Sequence, residues 1–440
     1  MRQLFGTDGM RGVAGEYPLD AKTTFAAGVA LGRWVSRLHR RPEVVIGMDT
    51  RESGPWIARQ VAGGLAREGV RPRFAGLITT PGIAHTARAG PFAAGVMISA
   101  SHNPYQDNGI KIIDHSGFKL PDEQEHALEA DILSFAGEPS PVPLTVDEGL
   151  DREYADHLAA TLAGGIGAMG LVVDTANGAA THLAPALLAR LGARVECIHC
   201  APDGRNINLD CGSLHLQSLR ERVLATGADL GVAFDGDADR ALFISHSGKI
   251  VDGDAVLLMT ARPLHARGKL REVIATVMSN LGLERALTRD GIGLVRTPVG
   301  DKYVLEEMIR RDAPLGGEQS GHIIFREYAT TGDGLLTALR VLEVMRDSGE
   351  DLDALTADLE VYPQRLVNVR VKHKRALAEL AGVNEEIRRA ESEFGDSGRV
   401  LVRFSGTEPL ARVMVEGPEL GRVEHFANSI ADAIRTELGS

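Results

Sequence analysis

Short apolar runs alternate with longer segments of helical period along most of the chain. The apolar runs have the content of buried strands and include residues 44–47, 171–173, 230–234 and 273–277. The longer segments, rich in Ala, Leu and Arg, include residues 21–38, 56–68, 179–191 and 334–345. This alternation predicts α/β layers with largely parallel sheets.

A strand–turn–helix unit recurs three times within this pattern. The small polar turns that end the strands lie at residues 46–51, 172–178 and 275–280, and a glycine-containing polar cluster follows each at residues 99–109, 235–240 and 316–322. Ligand sites in open α/β sheets lie at the carboxyl ends of strands. We therefore interpret the pattern as three copies of one unit, although strand–turn–helix units occur in any α/β protein.

The pattern changes after Pro363. Alternation of apolar and polar positions predicts strands at residues 366–371, 400–403 and 411–416, and helical period predicts helices at 375–394 and 420–438. These elements make a small α+β module. The chain is thus predicted to hold four domains, which comprise residues 1–150, 151–252, 253–362 and 363–440.

Composition narrows the classes of function. The 440 residues include 60 Asp and Glu against 48 Lys and Arg, and this net charge of −12 disfavours binding to nucleic acid or to anionic membranes. No run approaches the ~18 consecutive apolar residues of a membrane helix, and the N-terminus lacks the apolar stretch of a secretory signal. Three cysteines are too few for a disulfide framework, so we expect a reducing, cytoplasmic compartment.

The first chemical cluster reads Ser-Ala-Ser-His-Asn-Pro from residue 99 and follows an apolar run. Ser101 on this loop suits a nucleophile or a carrier of a phosphoryl group, and Lys111 lies further along the same segment. The loop is not the G-x-S-x-G elbow of hydrolases, because Ala100 and His102 flank the serine. An ordinary turn with helix-capping residues is the alternative.

The second cluster directly follows the apolar run 230–234. It places Asp235, Asp237 and Asp239 at alternate positions before Arg240. Three carboxylates on one tight loop suit a hard divalent cation, and Mg²⁺ would leave a position for a phosphate oxygen. An EF-hand fits poorly, because Arg240 stands where that loop needs its turn glycine. The pattern predicts a metal site, with a solvated acidic turn as the weaker alternative.

The third cluster carries Glu318, Ser320 and His322 on a glycine loop at residues 316–322. It lacks the Lys-Ser/Thr pair that closes a Walker A loop. A carboxylate and a hydroxyl can bind paired hydroxyls of a sugar, and a histidine can carry a proton. Taken alone, the cluster is equally compatible with a polar turn.

The fourth cluster lies in the last domain and reads Arg-Phe-Ser-Gly-Thr-Glu-Pro from residue 403. Ser405, Gly406 and Thr407 can offer hydroxyl and backbone N–H groups to an anion. Arg403 and Arg412 can both bind the same phosphate. A hairpin with surface arginines is the alternative.

Two further patterns are set aside. Residues 165–170 fit G-x-G-x-x-G, but they precede a predicted strand instead of following one, which argues against a dinucleotide loop. Cys197, Cys200 and Cys211 have a zinc-like spacing. Residues 194–200 are predicted as a strand, whose alternation would point Cys197 and Cys200 to opposite faces. We therefore expect no zinc site here.

Together and in this order, the four clusters resemble the α-D-phosphohexomutase family. The opening Phe5-Gly-Thr-Asp-Gly-Met-Arg-Gly12 fits as well, and the resemblance covers essentially the whole chain. Residues 299–303, 317–322 and 405–409 are most similar to the bacterial members that act on glucosamine phosphates. The resemblance implies three similar α/β domains with mixed, largely parallel sheets plus a C-terminal α+β domain, arranged around a central cleft.

The resemblance also implies a role for each cluster. The four domains would carry, in order, a phosphoserine loop, a metal loop, a sugar loop and a phosphate loop. The implied roles are Mg²⁺ binding by phosphorylated Ser101, Asp235, Asp237 and Asp239; proton transfer by Lys111 and His322; added positive charge from Arg11 and Arg240; sugar binding by Glu318 and Ser320; and phosphate binding by Arg403, Ser405, Gly406, Thr407 and Arg412.

The implied reaction interconverts glucosamine 6-phosphate and glucosamine 1-phosphate. Phosphorylated Ser101 would donate its phosphoryl group and regain one from a glucosamine 1,6-bisphosphate intermediate, and the product would feed UDP-N-acetylglucosamine synthesis. We expect small sugar phosphates as the binding partners, and neither nucleic acid nor membrane. An unidentified kinase or a bisphosphate donor would first load Ser101, and a homodimer is left open.

Three alternatives remain at this point. Phosphomannomutase/phosphoglucomutase activity is the nearest, because no residue can be named that distinguishes the amino group at C2 from a hydroxyl. A non-catalytic sugar-phosphate sensor should have lost Ser101 or a metal-binding Asp, and neither is lost. A phosphatase using the Asp235 loop would not need the distant phosphate loop at residues 403–412.

Overall fold

The computed structural model describes residues 4–6, 8–405 and 409–439, and the chain forms two compact units. The first unit contains residues up to 278 together with 294–357. The second contains residues 279–293 together with those from 358 onward. Among the helices in the described ranges, none is both long and apolar enough to cross a bilayer.

The first sheet is built near the N-terminus. Its strands and helices are β1 (Met10–Val13), α1 (Ala21–Leu38), β2 (Glu43–Met48), α2 (Gly54–Arg67), β3 (Arg71–Leu77), α3 (Thr80–Ala89), β4 (Ala94–Ile98), β5 (Asp107–Asp114) and α4 (Asp122–Leu133). The sheet order is β1-β5-β4-β2-β3. Helix α1 begins where predicted, because the Asp20 carboxylate accepts N–H bonds from Lys22 and Thr23 and caps the first turn.

The second sheet has the order β10-β9-β8-β6-β7. Its elements are α5 (Leu150–Ala160), β6 (Gly170–Asp174), α6 (Leu183–Arg190), β7 (Arg194–Ile198), α7 (Gln217–Thr226), β8 (Leu230–Phe234), β9 (Ala241–Ser245) and β10 (Ile250–Val251). Every residue of β8 is buried, as expected for a strand with elements packed on both faces.

The third sheet has the order β12-β11-β13-β14. The elements of this segment are α8 (Gly253–Ala266), β11 (Glu272–Thr276), α9 (Leu281–Arg289), β12 (Gly293–Thr297), α10 (Asp301–Arg311), β13 (Leu315–Gly317), β14 (Ile323–Phe325), α11 (Gly334–Ser348) and α12 (Leu352–Leu355). Helix α9 belongs to the second compact unit, where the Leu281 N–H donates to Glu416 Oε1 at 2.9 Å.

The three sheets share one strand order, which confirms the predicted similarity of the three α/β domains. In each sheet, one strand lies between the next two strands of the chain, and a fourth strand pairs antiparallel with the third. These four strands are, in chain order, β2 to β5 in the first sheet, β6 to β9 in the second and β11 to β14 in the third. The predicted clusters at residues 99–109, 235–240 and 316–322 each contain the loop between the third and fourth strands, and the first and third also include strand residues. The repeat therefore places three chemical loops at equivalent positions.

The second unit also contains an antiparallel sheet with the order β15-β17-β16. Its elements are β15 (Gln364–Arg370), α13 (Ala381–Phe394), β16 (Arg399–Phe404), β17 (Leu410–Glu416) and α14 (Leu420–Leu438). Side chains of both helices pack with the sheet in one apolar cluster. This architecture matches the predicted C-terminal α+β module.

Three local expectations are wrong. The helix predicted from residue 179 begins at Leu183, because Ala176 and Asn177 adopt positive φ and the chain continues in turns. The helix predicted from residue 375 begins at Ala381. Strand β7 ends at Ile198, and His199 has a φ of 47°, so Cys200 does not continue the strand alternation.

Candidate active site

Ser101 lies on the loop that leaves β4, with its side chain facing the loop that leaves β8. Its Oγ donates a hydrogen bond to Asp235 Oδ2 at 2.5 Å and lies 3.3 Å from His102 Nδ1. The residue is 1% exposed and has a φ of 50°, a left-handed conformation that is uncommon for residues other than glycine. Backbone strain of this kind is concentrated at functional sites.

The loop at residues 235–240 is held by backbone groups from three segments of the chain. Three successive carbonyl oxygens accept N–H bonds: that of Gly236 from Ala179 at 2.8 Å, that of Asp237 from Thr80 at 3.0 Å and that of Ala238 from Gly334 at 3.0 Å. Gly334 has to be glycine, since a Cβ there would lie 2.5 Å from the carbonyl oxygen of Arg240. The loop is thus fixed before any ligand binds.

The three aspartates of this loop converge on one point. One carboxylate oxygen from each lies within 4.8 Å of the others, and all three residues are buried. Burial, reinforced by Asp239 and Asp237, raises the pKa of Asp235 well above its ordinary value. The Oδ1 atoms of Asp237 and Asp239 are buried and have no hydrogen-bond donor within the described part of the chain. These oxygens fit a divalent cation, which would satisfy them and relieve their mutual repulsion.

A chain of ion pairs continues from the acidic loop, buried at Lys111 and partly exposed beyond it. Lys111 Nζ lies 2.8 Å from Asp237 Oδ2 and 3.0 Å from Asp8 Oδ2. Lys119 Nζ in turn lies 2.5 Å from both Asp8 Oδ1 and Asp301 Oδ2. Burial alone would lower the pKa of Lys111, but Asp237 and Asp8 outweigh it and raise that pKa. Lys111 is therefore protonated in this arrangement.

His322 accepts a hydrogen bond at one ring nitrogen and faces the acidic loop with the other. The Gly332 N–H points to Nε2 at 3.0 Å, and Nδ1 lies 3.6 Å from Asp239 Oδ1. Because Nε2 accepts, the bonding assigns the ring proton to Nδ1, on the side of Asp239. Burial would raise the pKa of Asp239, but His322 and Lys111 outweigh it and lower that pKa, so this carboxylate stays ionised.

Two arginines add positive charge around the serine. Arg11 Nη2 lies 2.6 Å from Asp8 Oδ2, and Arg240 Nε lies 3.7 Å from Asp239 Oδ1. The Nε atoms of both arginines are buried without a hydrogen-bond acceptor in the described ranges. Burial, together with Arg240 and Arg11, lowers the pKa of His102 to about 4, so this ring is neutral beside the serine. These donors suit the oxygens of a phosphoryl group.

The loop between β13 and β14 presents Glu318 and Ser320 with partial exposure. Glu318 Oε1 accepts the Gly300 N–H at 3.1 Å, and Ser320 Oγ lies 3.4 Å from Glu318 Oε2. The Gly253 N–H donates to the carbonyl oxygen of Gln319 at 3.0 Å, which ties the loop to the start of α8. A carboxylate and a hydroxyl side by side can bind the hydroxyl groups of a sugar.

In the second unit, Arg403 on β16 and Arg412 on β17 lie directly opposite each other. Both side chains are half-buried. Burial, and then the charge of Arg412, lowers the pKa of Arg403. Like charges at opposed positions of an antiparallel pair destabilise it. An anion bound to both would offset this repulsion.

The rest of the predicted phosphate loop is only partly described. Ser405 is buried, and its carbonyl oxygen accepts a hydrogen bond from Lys374 Nζ at 2.5 Å. Gly406 and Thr407 lie outside the described residues. Lys374 adds a third basic group to this segment, which sequence reasoning had not assigned.

The structure brings together most of the predicted residues and adds several that were missed. The structure connects eight predicted residues of the first unit through hydrogen bonds and ion pairs: Ser101, Lys111, Asp235, Asp237, Asp239, Arg240, Arg11 and His322. Asp8, Lys119 and Asp301 belong to the same set, as does Thr80, whose Oγ1 donates to Asp237 Oδ2 at 2.5 Å. Asp8 lies within residues 5–12 and Asp301 within residues 299–303, two segments that carry the family resemblance. The spacing of residues along the sequence does not predict that both aspartates bind the same lysine.

Four family models match the chain in sequence order. They describe the phosphoglucomutase/phosphomannomutase alpha/beta/alpha domain I at residues 2–136, domain II at 152–248, domain III at 252–362 and the C-terminal domain at 366–433. The loops described above fall one to each matched domain. The boundaries between the matched family models therefore separate the four chemical loops from one another.

Individual relatives are similar over their full length. A phosphoglucosamine mutase of Solibacter usitatus is 60% identical and aligns with 100% of this chain and 99% of its own. A phosphoglucosamine mutase of Koribacter versatilis is 50% identical, with 100% and 98% covered. Among solved structures, a phosphoglucomutase/phosphomannomutase family protein from Burkholderia thailandensis matches with a TM-score of 0.82 at 25% identity, covering 99% of this chain and 98% of that one.

Proposed function

The chain belongs to the phosphoglucomutase/phosphomannomutase family of α-D-phosphohexomutases, and we propose that it interconverts glucosamine 6-phosphate and glucosamine 1-phosphate. The single observation that carries the chemistry is the buried contact of 2.5 Å between Ser101 Oγ and Asp235 Oδ2. It places Ser101, whose backbone is in the left-handed conformation, against the loop that carries the three aspartates. Arg11 and Arg240 lie close enough to act on the pKa of the neighbouring His102. The choice of an amino sugar is supported by the relatives named phosphoglucosamine mutase.

The reaction has two phosphoryl transfers. O1 of glucosamine 6-phosphate attacks the phosphorus on Ser101, the bond from that phosphorus to Oγ breaks, and glucosamine 1,6-bisphosphate forms. After the intermediate turns over, Ser101 Oγ attacks the phosphorus at the 6-position and glucosamine 1-phosphate leaves. In each transfer the departing oxygen gains a proton and the attacking hydroxyl loses one. Protonated Lys111 can give a proton to the departing oxygen and take one back from the attacking hydroxyl.

We propose Mg²⁺ as the resident cation of the acidic loop. Asp235, Asp237 and Asp239 would hold it together with an oxygen of phosphorylated Ser101, since hard oxygen ligands favour Mg²⁺ over softer metals. When bound, the cation would offset negative charge on the transferring phosphoryl group. Arg11 and Arg240, with buried Nε donors free of acceptors in the described ranges, would add to that effect.

The remaining predicted residues take the parts of the substrate that do not react. Glu318 and Ser320 would bind sugar hydroxyls and set the direction of the ring. Arg403, Ser405 and Arg412, with Gly406 and Thr407, would hold the distal phosphate. His322 stays a predicted proton carrier. Its ring accepts a hydrogen bond from Gly332 and lies 3.6 Å from Asp239, a position from which it can orient the acidic loop.

Further parts of the proposal concern the protein's setting. The chain would contain four domains, with boundaries near residues 150, 252 and 362, and each would carry one of the four chemical loops. A kinase or a sugar bisphosphate would load Ser101 at the start, and the enzyme would act in the cytoplasm on small sugar phosphates, as a homodimer if it assembles. Intact mass of the protein isolated from cells would reveal its resting phosphorylation.

The test is a substrate panel with purified protein, Mg²⁺ and a catalytic amount of glucose 1,6-bisphosphate. The proposal expects the highest kcat/KM with glucosamine 6-phosphate, and the product to be the 1-phosphate. Higher kcat/KM with mannose or glucose phosphates would favour the phosphomannomutase/phosphoglucomutase alternative, which the name of the Burkholderia thailandensis structure keeps open. Release of inorganic phosphate without isomerisation would overturn both.

A further inference from the structure

Arg51 lies in the turn between β2 and α2 and is among the largest fully buried side chains of the protein. All five of its N–H donors are used. Nε donates to Asp49 Oδ2 at 2.9 Å. Nη1 donates to the carbonyl oxygens of Pro104 and Asp107, the latter at 3.0 Å. Nη2 donates to the carbonyl oxygens of Ser101 and Asn103, both at 2.9 Å. One guanidinium therefore binds four carbonyl oxygens within residues 99–107, a segment that we call the serine loop.

The ion-pair partner of Arg51 binds the other side of the same serine. Asp49 Oδ2 accepts a hydrogen bond from Ser99 Oγ at 2.7 Å, and Ser99 Oγ accepts the Ser101 N–H at 2.9 Å. The peptide groups before and after Ser101 are thus both tied to the Asp49–Arg51 pair. That pair is fully buried, with neither side chain exposed.

A second donor reaches the loop from the segment between β7 and α7. Asn208 Nδ2 donates to the carbonyl oxygens of Ser101 and Asn103, at 2.9 and 3.0 Å. The Ser101 carbonyl oxygen therefore accepts from Arg51 and from Asn208 at once. Both lone pairs of that oxygen are used, which fixes the direction of the peptide plane.

Converging carbonyl oxygens repel one another unless a donor lies between them, and a guanidinium offers a rigid planar fork of donors that lysine lacks. We propose that Arg51 is a positioning residue for the reaction at Ser101. It holds the serine backbone in the left-handed conformation with a φ of 50°, and that conformation directs Oγ at Asp235. The inference rests on the proposed function in so far as Ser101 carries the phosphoryl group.

A purely structural role predicts something different. A buried arginine that only stabilises the fold should lower stability when replaced, without changing the properties of the folded fraction. Arg340 is a matched case, because it is also buried and donates to Glu343 and to Thr161. None of these partners belongs to the four chemical loops. Comparison of Arg51→Lys with Arg340→Lys therefore separates positioning from stability.

The first experiment measures kinetics at a temperature where circular dichroism shows each variant to be folded. Arg51→Lys should lower kcat by about 100-fold with little change in KM for glucosamine 6-phosphate, because the reacting oxygen is displaced but the binding groups are not. Arg340→Lys should lower the melting temperature and leave kcat unchanged. An unchanged kcat in folded Arg51→Lys would overturn the proposal, and so would an equal loss in both variants.

The second experiment does not depend on the function. Hydrogen exchange of the peptide covering residues 99–109 should be faster in Arg51→Lys than in the wild type, and unchanged in Arg340→Lys. Equal protection of this segment in all three proteins would also overturn the proposal. If the wild type neither isomerises sugar phosphates nor loads Ser101, the proposed function fails, while the exchange result still decides the role of Arg51.

If Arg51→Lys does not fold, Asn208→Ala decides instead. This change removes two of the donors to the loop and leaves the ion pair of Arg51 and Asp49 intact. It should lower kcat by about tenfold, because two hydrogen bonds to the loop are lost, and increase exchange in the same peptide. A wild-type kcat with wild-type exchange would contradict the idea that these donors position the serine.

Discussion

The acidic loop at residues 235–240 and the Arg403–Arg412 pair both crowd like charges together, but they do so in different surroundings. The acidic loop is buried, and Lys111 and Arg240 lie against its carboxylates. The arginine pair lies on opposed strands and is half-buried. The loop can therefore be held rigid by counter-charges of the protein, whereas the arginines are partly screened by water. In both regions, a ligand of opposite sign should stabilise the fold.

The largest effect should come from Ser101→Ala, which removes the group that lies against the acidic loop. We expect kcat to fall by at least about 1,000-fold, because no phosphoryl carrier remains. Circular dichroism and the stabilisation by Mg²⁺ should stay near those of the wild type, since the three aspartates are untouched. Residual turnover close to the wild-type rate in a clean preparation would exclude Ser101 as the carrier.

Asp235→Asn tests the acidic half of the comparison. Burial and the neighbouring aspartates raise the pKa of Asp235, which means that its ionised form destabilises the metal-free fold. The amide should therefore not lower the melting temperature measured without metal. The increase in melting temperature on adding Mg²⁺ should be lost, and kcat should fall by at least about 100-fold.

Thermal unfolding with and without Mg²⁺ measures this effect, and Asp156→Asn is the control. Asp156 is an exposed aspartate paired with Arg190, so its replacement should change neither quantity. A wild-type response to Mg²⁺ in Asp235→Asn would show that the cation binds elsewhere.

Arg412→Ala tests the basic half. Losing a charged hydrogen bond to phosphate should raise KM by about 10- to 100-fold and leave kcat nearly unchanged, provided that Arg412 only anchors the distal phosphate. Inorganic phosphate should stabilise the wild type more than the variant. A large loss of kcat at unchanged KM would place Arg412 at the reacting group instead.

Asp333 should affect stability and not turnover, and it sharpens the comparison because it is a buried carboxylate outside the acidic loop. Burial raises its pKa from 3.8 to about 6, while it caps α11 and accepts a hydrogen bond from Tyr154. The folded state therefore holds more protons than the unfolded state in this window, and stability falls as pH rises through it.

Asp333→Asn keeps the cap and removes this titration. Relative to the wild type, the free energy of unfolding of the variant should increase by about 3 kcal/mol between about pH 4 and about pH 7. Urea denaturation at a series of pH values measures the difference. A difference that does not change with pH would mean that Asp333 is not the titrating group.

The sequence was sufficient for the parts of the site that depend on short spacing. Asp235, Asp237 and Asp239 are neighbours along the chain after a buried strand, so their convergence needs only a tight loop. The recurring unit also predicted three similar sheets, because period and turn chemistry are local properties. The repeated strand order then places the three chemical loops at equivalent positions.

The sequence was not sufficient for pairs that only the packing of sheets creates. Lys119 joins Asp8 to Asp301 across 111 and 182 positions of the chain, and no periodicity encodes such a bridge. Arg51 was noted only as part of a recurring turn, although its donors reach the whole serine loop. The cysteine segment shows the opposite error, since a left-handed residue at His199 ends a strand that the apolar pattern had extended.

The central claim is that Ser101 carries the phosphoryl group, and intact mass spectrometry with peptide mapping tests it most directly. The wild type treated with glucose 1,6-bisphosphate and Mg²⁺ should gain the mass of one phosphoryl group on Ser101. That group should then be lost on adding glucosamine 1-phosphate, with sugar bisphosphate formed in equal amount, and Ser101→Ala should gain nothing. A phosphoryl group on another residue, or turnover without any covalent phosphorylation, would contradict the account.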